Sequence, residues 1–212
     1  MRTYSTLFIV ALLMSGSLDA RAQSAADQQA KIASKYESLK AMSASFVQVT
    51  TSDFMDAPER FSGTIVFSGS KYRVQTSSQT IVTNGETLWI FNRAEKQVII
   101  NDFIEDESSF SLTSLLRQVG SDYTATLLGQ KKKDGVDHDQ ISLIPKDNDV
   151  QFKSVKIDAR RSDSIVTRVE VLDFNDVLMV FELHDIVLNP AISDDSFSFV
   201  PPSGVEVIDL RN

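Results

Sequence analysis

Ser43 to Asn101 is a succession of short apolar runs broken by turn residues, and this texture constrains the fold more than any other feature of the chain. SASFVQVTTSDF, FSGTIVF, KYRVQT, TIVTNGETLWIFN and QVIIN read as five or six strands joined by glycine and polar turns, the pattern of an antiparallel meander. TATLLGQ, HDQISLI, SVKIDA, SIVTRVEVLD and VLMVFELHDIVLN continue it in the second half. So many strands exceed what a flat sheet tolerates without curling. The expected fold is mainly β with a few helices (α+β): an incomplete, strongly curved antiparallel β-barrel of about eleven strands.

Two of these strands are apolar on both faces. Leu88-Trp89-Ile90-Phe91 is uninterrupted, although alternate side chains of a strand point to opposite sides and a small antiparallel sheet usually wets one of them. Between Val177 and Leu188, strict alternation sends Leu178, Val180, Ile186 and Leu188 one way and Met179, Phe181, Leu183 and Val187 the other. Two amphipathic helices offer a cover. The first should open at Ser24, carry Ile32, Ala33, Tyr36 and Leu39 on one stripe, and end near Met42. The second, capped by Ser108 or Ser109 and closed at Gly120, aligns Leu112, Leu115, Leu116 and Val119. A helical lid over a concave apolar face follows. The 13 phenylalanines suit a large core or an apolar cavity equally.

Asn84-Gly85 predicts a two-residue type I′ hairpin. Ile81 then lies opposite Leu88, with Ile81, Leu88 and Ile90 on one face and Val82, Trp89 and Phe91 on the other. Only the first set is wholly aliphatic, whereas the Trp89 N–H needs a partner, so the first set is assigned to the concave side. Asp134-Gly135, after Lys131-Lys132-Lys133, signals a second hairpin.

The first residues read as an export leader. Arg2 precedes the apolar run Leu7 to Met14, and Ala20-Arg21-Ala22 supplies a small-x-small site with cleavage expected after Ala22. The run is too short to span a bilayer, so no stable membrane insertion is expected. Residues 23–212 then form a single domain, expected to be a periplasmic or secreted monomer. The chain has no cysteine, hence neither a disulfide framework nor a lipid-modified N-terminal cysteine. Removing Arg2, Arg21 and Asp19 with the leader takes the formal charge from −8 to −9, which disfavours nucleic acid and anionic lipid surfaces.

Catalytic equipment is sparse. There are two histidines, no Gly-x-Ser-x-Gly elbow, no His-x-x-x-His spacing and no phosphate-binding glycine loop. Asp137-His138-Asp139 lies on a strand, where both aspartates face away from the histidine, and His184 reads as a core or rim histidine. Glu105-Asp106-Glu107 reads as a solvated loop. No catalytic residue, metal site or cofactor is expected.

Three stretches in order carry a family resemblance. SASFVQ at 43–48, after an amphipathic helix, resembles the entry of the periplasmic outer-membrane lipoprotein carriers, the LolA family. TIVTNGETLWIFN at 80–92 is similar to that family's hairpin, and FSFVPPSGVEVID at 197–209 to its ending. The resemblance implies a half-open eleven-stranded barrel whose inner face shelters the acyl chains of lipoproteins. It also implies an inner-membrane ABC transporter as donor and an outer-membrane lipoprotein as acceptor. On this reading Tyr72, Val74, Ile81, Leu88 and Ile90 line the cavity, and Leu112, Leu115, Leu116 and Val119 face it from the lid. Tyr72 matches an aromatic position near the cavity mouth.

One departure stands out. The family has an Arg-Pro after the glycine of the second strand, and that arginine tethers the lid. Here the stretch is Phe67-Ser68-Gly69-Ser70-Lys71-Tyr72, with neither residue, and strand register points the nearby Arg73 elsewhere. Two rival readings remain: a carrier of another lipid, such as a glycolipid or polyketide lipid, and a sensor domain that binds lipid or a partner without transport.

Overall fold

The computed structural model describes residues 16–104, 115, 119, 120, 122–146 and 152–211. A helix α1 (Gly16–Glu37) precedes β1 (Met42–Thr51), β2 (Glu59–Ser68), β3 (Lys71–Thr76), β4 (Gln79–Thr83), β5 (Thr87–Asn92) and β6 (Gln97–Asp102). Then follow β7 (Tyr123–Lys133), β8 (Val136–Pro145), β9 (Phe152–Arg160), β10 (Val166–Asp173), β11 (Leu178–Leu188) and, after a 3₁₀ turn at Asp194–Phe197, β12 (Glu206–Asp209). They form one twelve-stranded, curled open sheet in the order β12-β6-β5-β4-β3-β2-β1-β11-β10-β9-β8-β7. Neighbours are antiparallel except β12, which runs parallel to β6. This short strand is the one beyond the eleven expected.

The concave side of β7 to β11 and β1 is filled by α1. Ile32, Ala33 and Tyr36 enter a core with Met42, Ala44 and Phe46 of β1 and the inward residues of β8 to β11. The Tyr36 hydroxyl accepts from the Val166 N–H at 3.1 Å, pinning the helix to β10. The helix bounds differ from expectation: Ser24 lies inside α1 and the helix stops at Glu37. The Ser38 hydroxyl bonds the Lys35 carbonyl at 2.7 Å, satisfying a last-turn acceptor, and Met42 begins β1 instead.

The two hairpin signals fare differently. Asp134 and Gly135 both have positive φ, 51° and 79°, and Lys133 pairs with Val136, as a type I′ turn requires. At Asn84-Gly85 only the glycine is positive, at 92°. The Asn84 side-chain carbonyl instead accepts from the Glu86 and Thr87 N–H groups at 2.9 and 2.8 Å, an Asx turn. Ile81 therefore pairs with Ile90, and Thr83 with Leu88. The slip is two residues, so every side chain keeps its face.

The β11 faces need correction. Pairing with β1 passes from Ser45↔His184 to Ser43↔Val187, a bulge with Asp185 at φ 49° whose carboxylate accepts from the Ser45 hydroxyl at 2.6 Å. The extra residue turns Ile186 and Leu188 inward with Met179, Phe181 and Leu183, while Val187 is exposed.

Candidate binding face

Cross-strand register assembles a single aliphatic row along the concave side of β2 to β6. Ala44 opposes Ile65, Ile65 opposes Val74, Val74 opposes Ile81, Ile81 opposes Ile90, Ile90 opposes Ile99, and Ile99 opposes Ile208. At ~4.8 Å per strand the row from Ile65 to Ile208 runs about 24 Å along the sheet. Ile65 is buried, whereas Val74, Ile81, Ile90, Ile99 and Ile208 are each half-buried. The next row holds Phe67, Tyr72, Thr83 and Leu88, with the Phe103 ring edge-on to Tyr72 at 6.0 Å. Tyr72, Val74, Ile81, Leu88 and Ile90 thus share one face. Ile99 and Ile208 belong to it as well and were missed. The alternation in Gln97-Val98-Ile99-Ile100 held the signal for Ile99, but only the parallel pairing of β12 brings in Ile208.

Gly63 makes the row possible beside β1. A Cβ there would sit 2.3 Å from the Gln75 carbonyl oxygen and 3.1 Å from the Phe46 ring, so glycine lets Phe46 lie over β2.

The apolar underside of β4 to β6, for which no cover was expected, lies beneath the C-terminal segment. Val82 and Val98 are fully buried, and Thr80 and Ile100 nearly so. Phe197 is buried, and Phe199 packs on Phe91 with ring centroids 5.7 Å apart. Arg73 holds this strap: its Nε donates to the Ser196 carbonyl and an Nη to the Ser198 carbonyl, both at 2.7 Å. Burial lowers the Arg73 pKa from its ordinary value. Arg73 lies on the face opposite Tyr72, opposing Val82, as register requires.

Of the leucine stripe, Leu115 and Val119 are buried in the main core; Leu112, Leu116 and Glu105-Asp106-Glu107 lie outside the described residues. The Gln29 amide donates to the Val119 and Tyr123 carbonyls at 2.7 and 2.9 Å. Gly120 does not have positive φ. Its glycine is explained by approach, since a Cβ there would meet the Ala33 Cβ at 2.6 Å.

Titratable groups serve the scaffold. Asp139 is buried beneath α1 against Gln28, with Arg161 at 3.4 Å. His138 is buried, its Nδ1 3.0 Å from the Val136 carbonyl oxygen. His184 is exposed, 3.9 Å from Glu182. A ladder on the outer face links Lys131 to buried Asp158 at 2.6 Å and Lys133 to Glu182 at 3.3 Å, with Arg168 reaching Asp158, Glu170 and Glu182. Among the described residues no cluster of three metal-ligating side chains occurs, and no helix is long and apolar enough to cross a membrane.

The profile of the family "Outer membrane lipoprotein carrier protein LolA" matches residues 37–200. The chain belongs to the LolA family. An outer-membrane lipoprotein carrier protein of Halorhodospira halophila is 24% identical over 211 residues, covering 98% of this chain and 95% of that protein. One from Albidiferax ferrireducens is 29% identical over 137 residues, covering 61% of this chain and 62% of that protein. An uncharacterized conserved protein from Thermus thermophilus has a crystal structure that superposes with a TM-score of 0.57 at 12% identity, over 87% of this chain and 98% of that one. At that identity the likeness is one of fold.

Proposed function

We propose that this chain is a non-enzymatic periplasmic carrier that shelters the acyl chains of lipoproteins and moves them from the inner to the outer membrane. The observation that carries the proposal is the aliphatic row from Ile65 to Ile208, continuous across β2 to β6 and half-open where α1 does not reach. Tyr72, Val74, Ile81, Leu88 and Ile90, joined by Ile99 and Ile208, would contact the chains. Sheltering contributes roughly 0.8 kcal/mol per CH₂, so cargo cannot cross water unaided. A row that is aliphatic throughout offers that area without a polar group to satisfy.

Residues 1–22 act in this reading as the leader, cut after Ala22. Donor and acceptor are an inner-membrane ABC transporter and an outer-membrane acceptor, following the family. Leu115 and Val119, sealed against α1, serve as a fixed wall rather than a detachable cover. A carrier of another lipid is the second reading, and it is favoured by one observation: Arg73, the nearest arginine to the missing tether, is committed to the C-terminal strap.

Native mass spectrometry of protein purified from the periplasm without detergent decides between them. A bound acylated peptide or lipoprotein supports the first reading. A free glycolipid or polyketide lipid replaces it with the second. Protein that is empty and takes up no fluorescent fatty acid contradicts both.

A further inference from the structure

Two loops at one rim of the sheet carry the same tetrapeptide pattern. The β1–β2 connection holds Asp53-Phe54-Met55-Asp56, and the β10–β11 turn holds Asp173-Phe174-Asn175-Asp176. The loops are neighbours in space, because Thr51 at the end of β1 pairs with Leu178 at the start of β11. Phe54 is 89% exposed and Phe174 56%. Neither ring contributes to the core, and two large exposed aromatics on adjacent loops are an interaction signal.

Each loop is built to present its ring. The Phe54 N–H is fixed by the Ser52 hydroxyl at 3.3 Å, and the Met55 N–H by the Ser52 carbonyl at 3.2 Å. The Asp173 carboxylate accepts from the Asn175 and Val177 N–H groups, both at 2.8 Å, and Asp176 adopts φ 60°. Lys153 neutralises Asp176 at 2.5 Å. Asp53 and Asp56 are exposed and leave the rim acidic.

We propose that these twin Asp-Phe-x-Asp loops are a two-point docking surface for a protein partner that offers apolar pockets rimmed by lysine or arginine. Aromatic side chains entering pockets are the usual anchors of an interface. The exposed Asp53 and Asp56 carboxylates supply the complementary charge that sets encounter rate and partner choice. The same carboxylates argue against a lipid surface, since an anionic leaflet attracts basic segments and repels acidic ones. The surface lies outside the aliphatic row, so this inference goes beyond the carrier reading and does not depend on it.

The test places a photo-reactive benzoyl-phenylalanine at position 54, 174 or, as control, Glu95 in the turn between β5 and β6 at the same rim, in the full chain in its native cells. The expected result is one protein adduct shared by positions 54 and 174, absent from position 95, its cross-linked peptide carrying Lys or Arg beside apolar residues. Asp53→Lys with Asp56→Lys should lower its yield about tenfold; Asp173 is spared because it holds its turn. Fluorescent fatty-acid uptake should be unchanged in that double variant, so failure of docking and failure of lipid binding are read separately. No adduct above the control, an adduct with lipid only or with a second copy of the chain, or a yield indifferent to charge reversal would each overturn the proposal.

Discussion

Arg73 on β3 donates to the carbonyls of Ser196 and Ser198, both at 2.7 Å, and so fastens the C-terminal strap to the outer face of the sheet. The two-faced strand Leu88-Trp89-Ile90-Phe91 depends on that contact. Its Leu88 and Ile90 face the concave side in neighbouring rows, while Phe91 lies under Phe199.

Arg73→Ala should therefore destabilise the protein by about 2 kcal/mol, the usual loss for hydrogen bonds made by a charged group, and Arg73→Lys should recover little because it lacks the planar fork. Phe197→Ala should cost about 3–5 kcal/mol as a buried aromatic truncation. Urea unfolding gives the magnitudes. Hydrogen exchange should show added opening at 194–209 in the arginine variants, with α1 unaffected.

Gly120→Ala should destabilise by about 1–3 kcal/mol through overpacking, because its new Cβ would meet the Ala33 Cβ at 2.6 Å. Ala33→Gly in the same chain should restore part of the loss by removing the opposing methyl. Thermal unfolding of the two single variants and the double variant closes the cycle.

Tyr36 and Tyr123 predict an alkaline limit to stability. Burial, first, pushes the Tyr123 hydroxyl up to about 12, with Asp122 adding to it, and burial raises Tyr36 further still. An unfolded tyrosine ionises near 10. The stability these groups contribute is therefore complete below about pH 10 and is lost as pH rises toward 12. Melting temperature should fall over that window, with tyrosinate absorbance appearing together with unfolding. Tyr123→Phe should move the fall to higher pH. Tyr36→Phe should already cost about 1–3 kcal/mol at pH 7 by orphaning the Val166 N–H.

Strand count, curl and the inward set Ile81, Leu88 and Ile90 were legible because period-2 alternation is local and survives a two-residue slip in the turn. What depended on a single backbone conformation was not. The Asp185 bulge reverses the faces of Ile186 and Val187, and no residue type announces it, since aspartate also serves ordinary strand ends. The cover of the second face was unreadable for another reason: the strap meets β3 through backbone carbonyls of Ser196 and Ser198, which carry no side-chain signature. Ile208 was hidden likewise, since a four-residue strand joining in parallel follows no hairpin rule.

In the carrier reading, the aliphatic row of β2 to β6 holds an acyl chain. Its direct test is equilibrium binding of a fluorescent fatty acid to the wild-type chain and to Ile81→Asp, Ile90→Asp and, on the opposite face of β12, Val207→Asp, with folding checked by circular dichroism. Uptake is expected by the wild type and by Val207→Asp, with at least about a tenfold loss in both row variants, since an unpaired carboxylate in an apolar site costs more than one decade of affinity. Equal binding by all four proteins, or no binding by folded wild type, would contradict it.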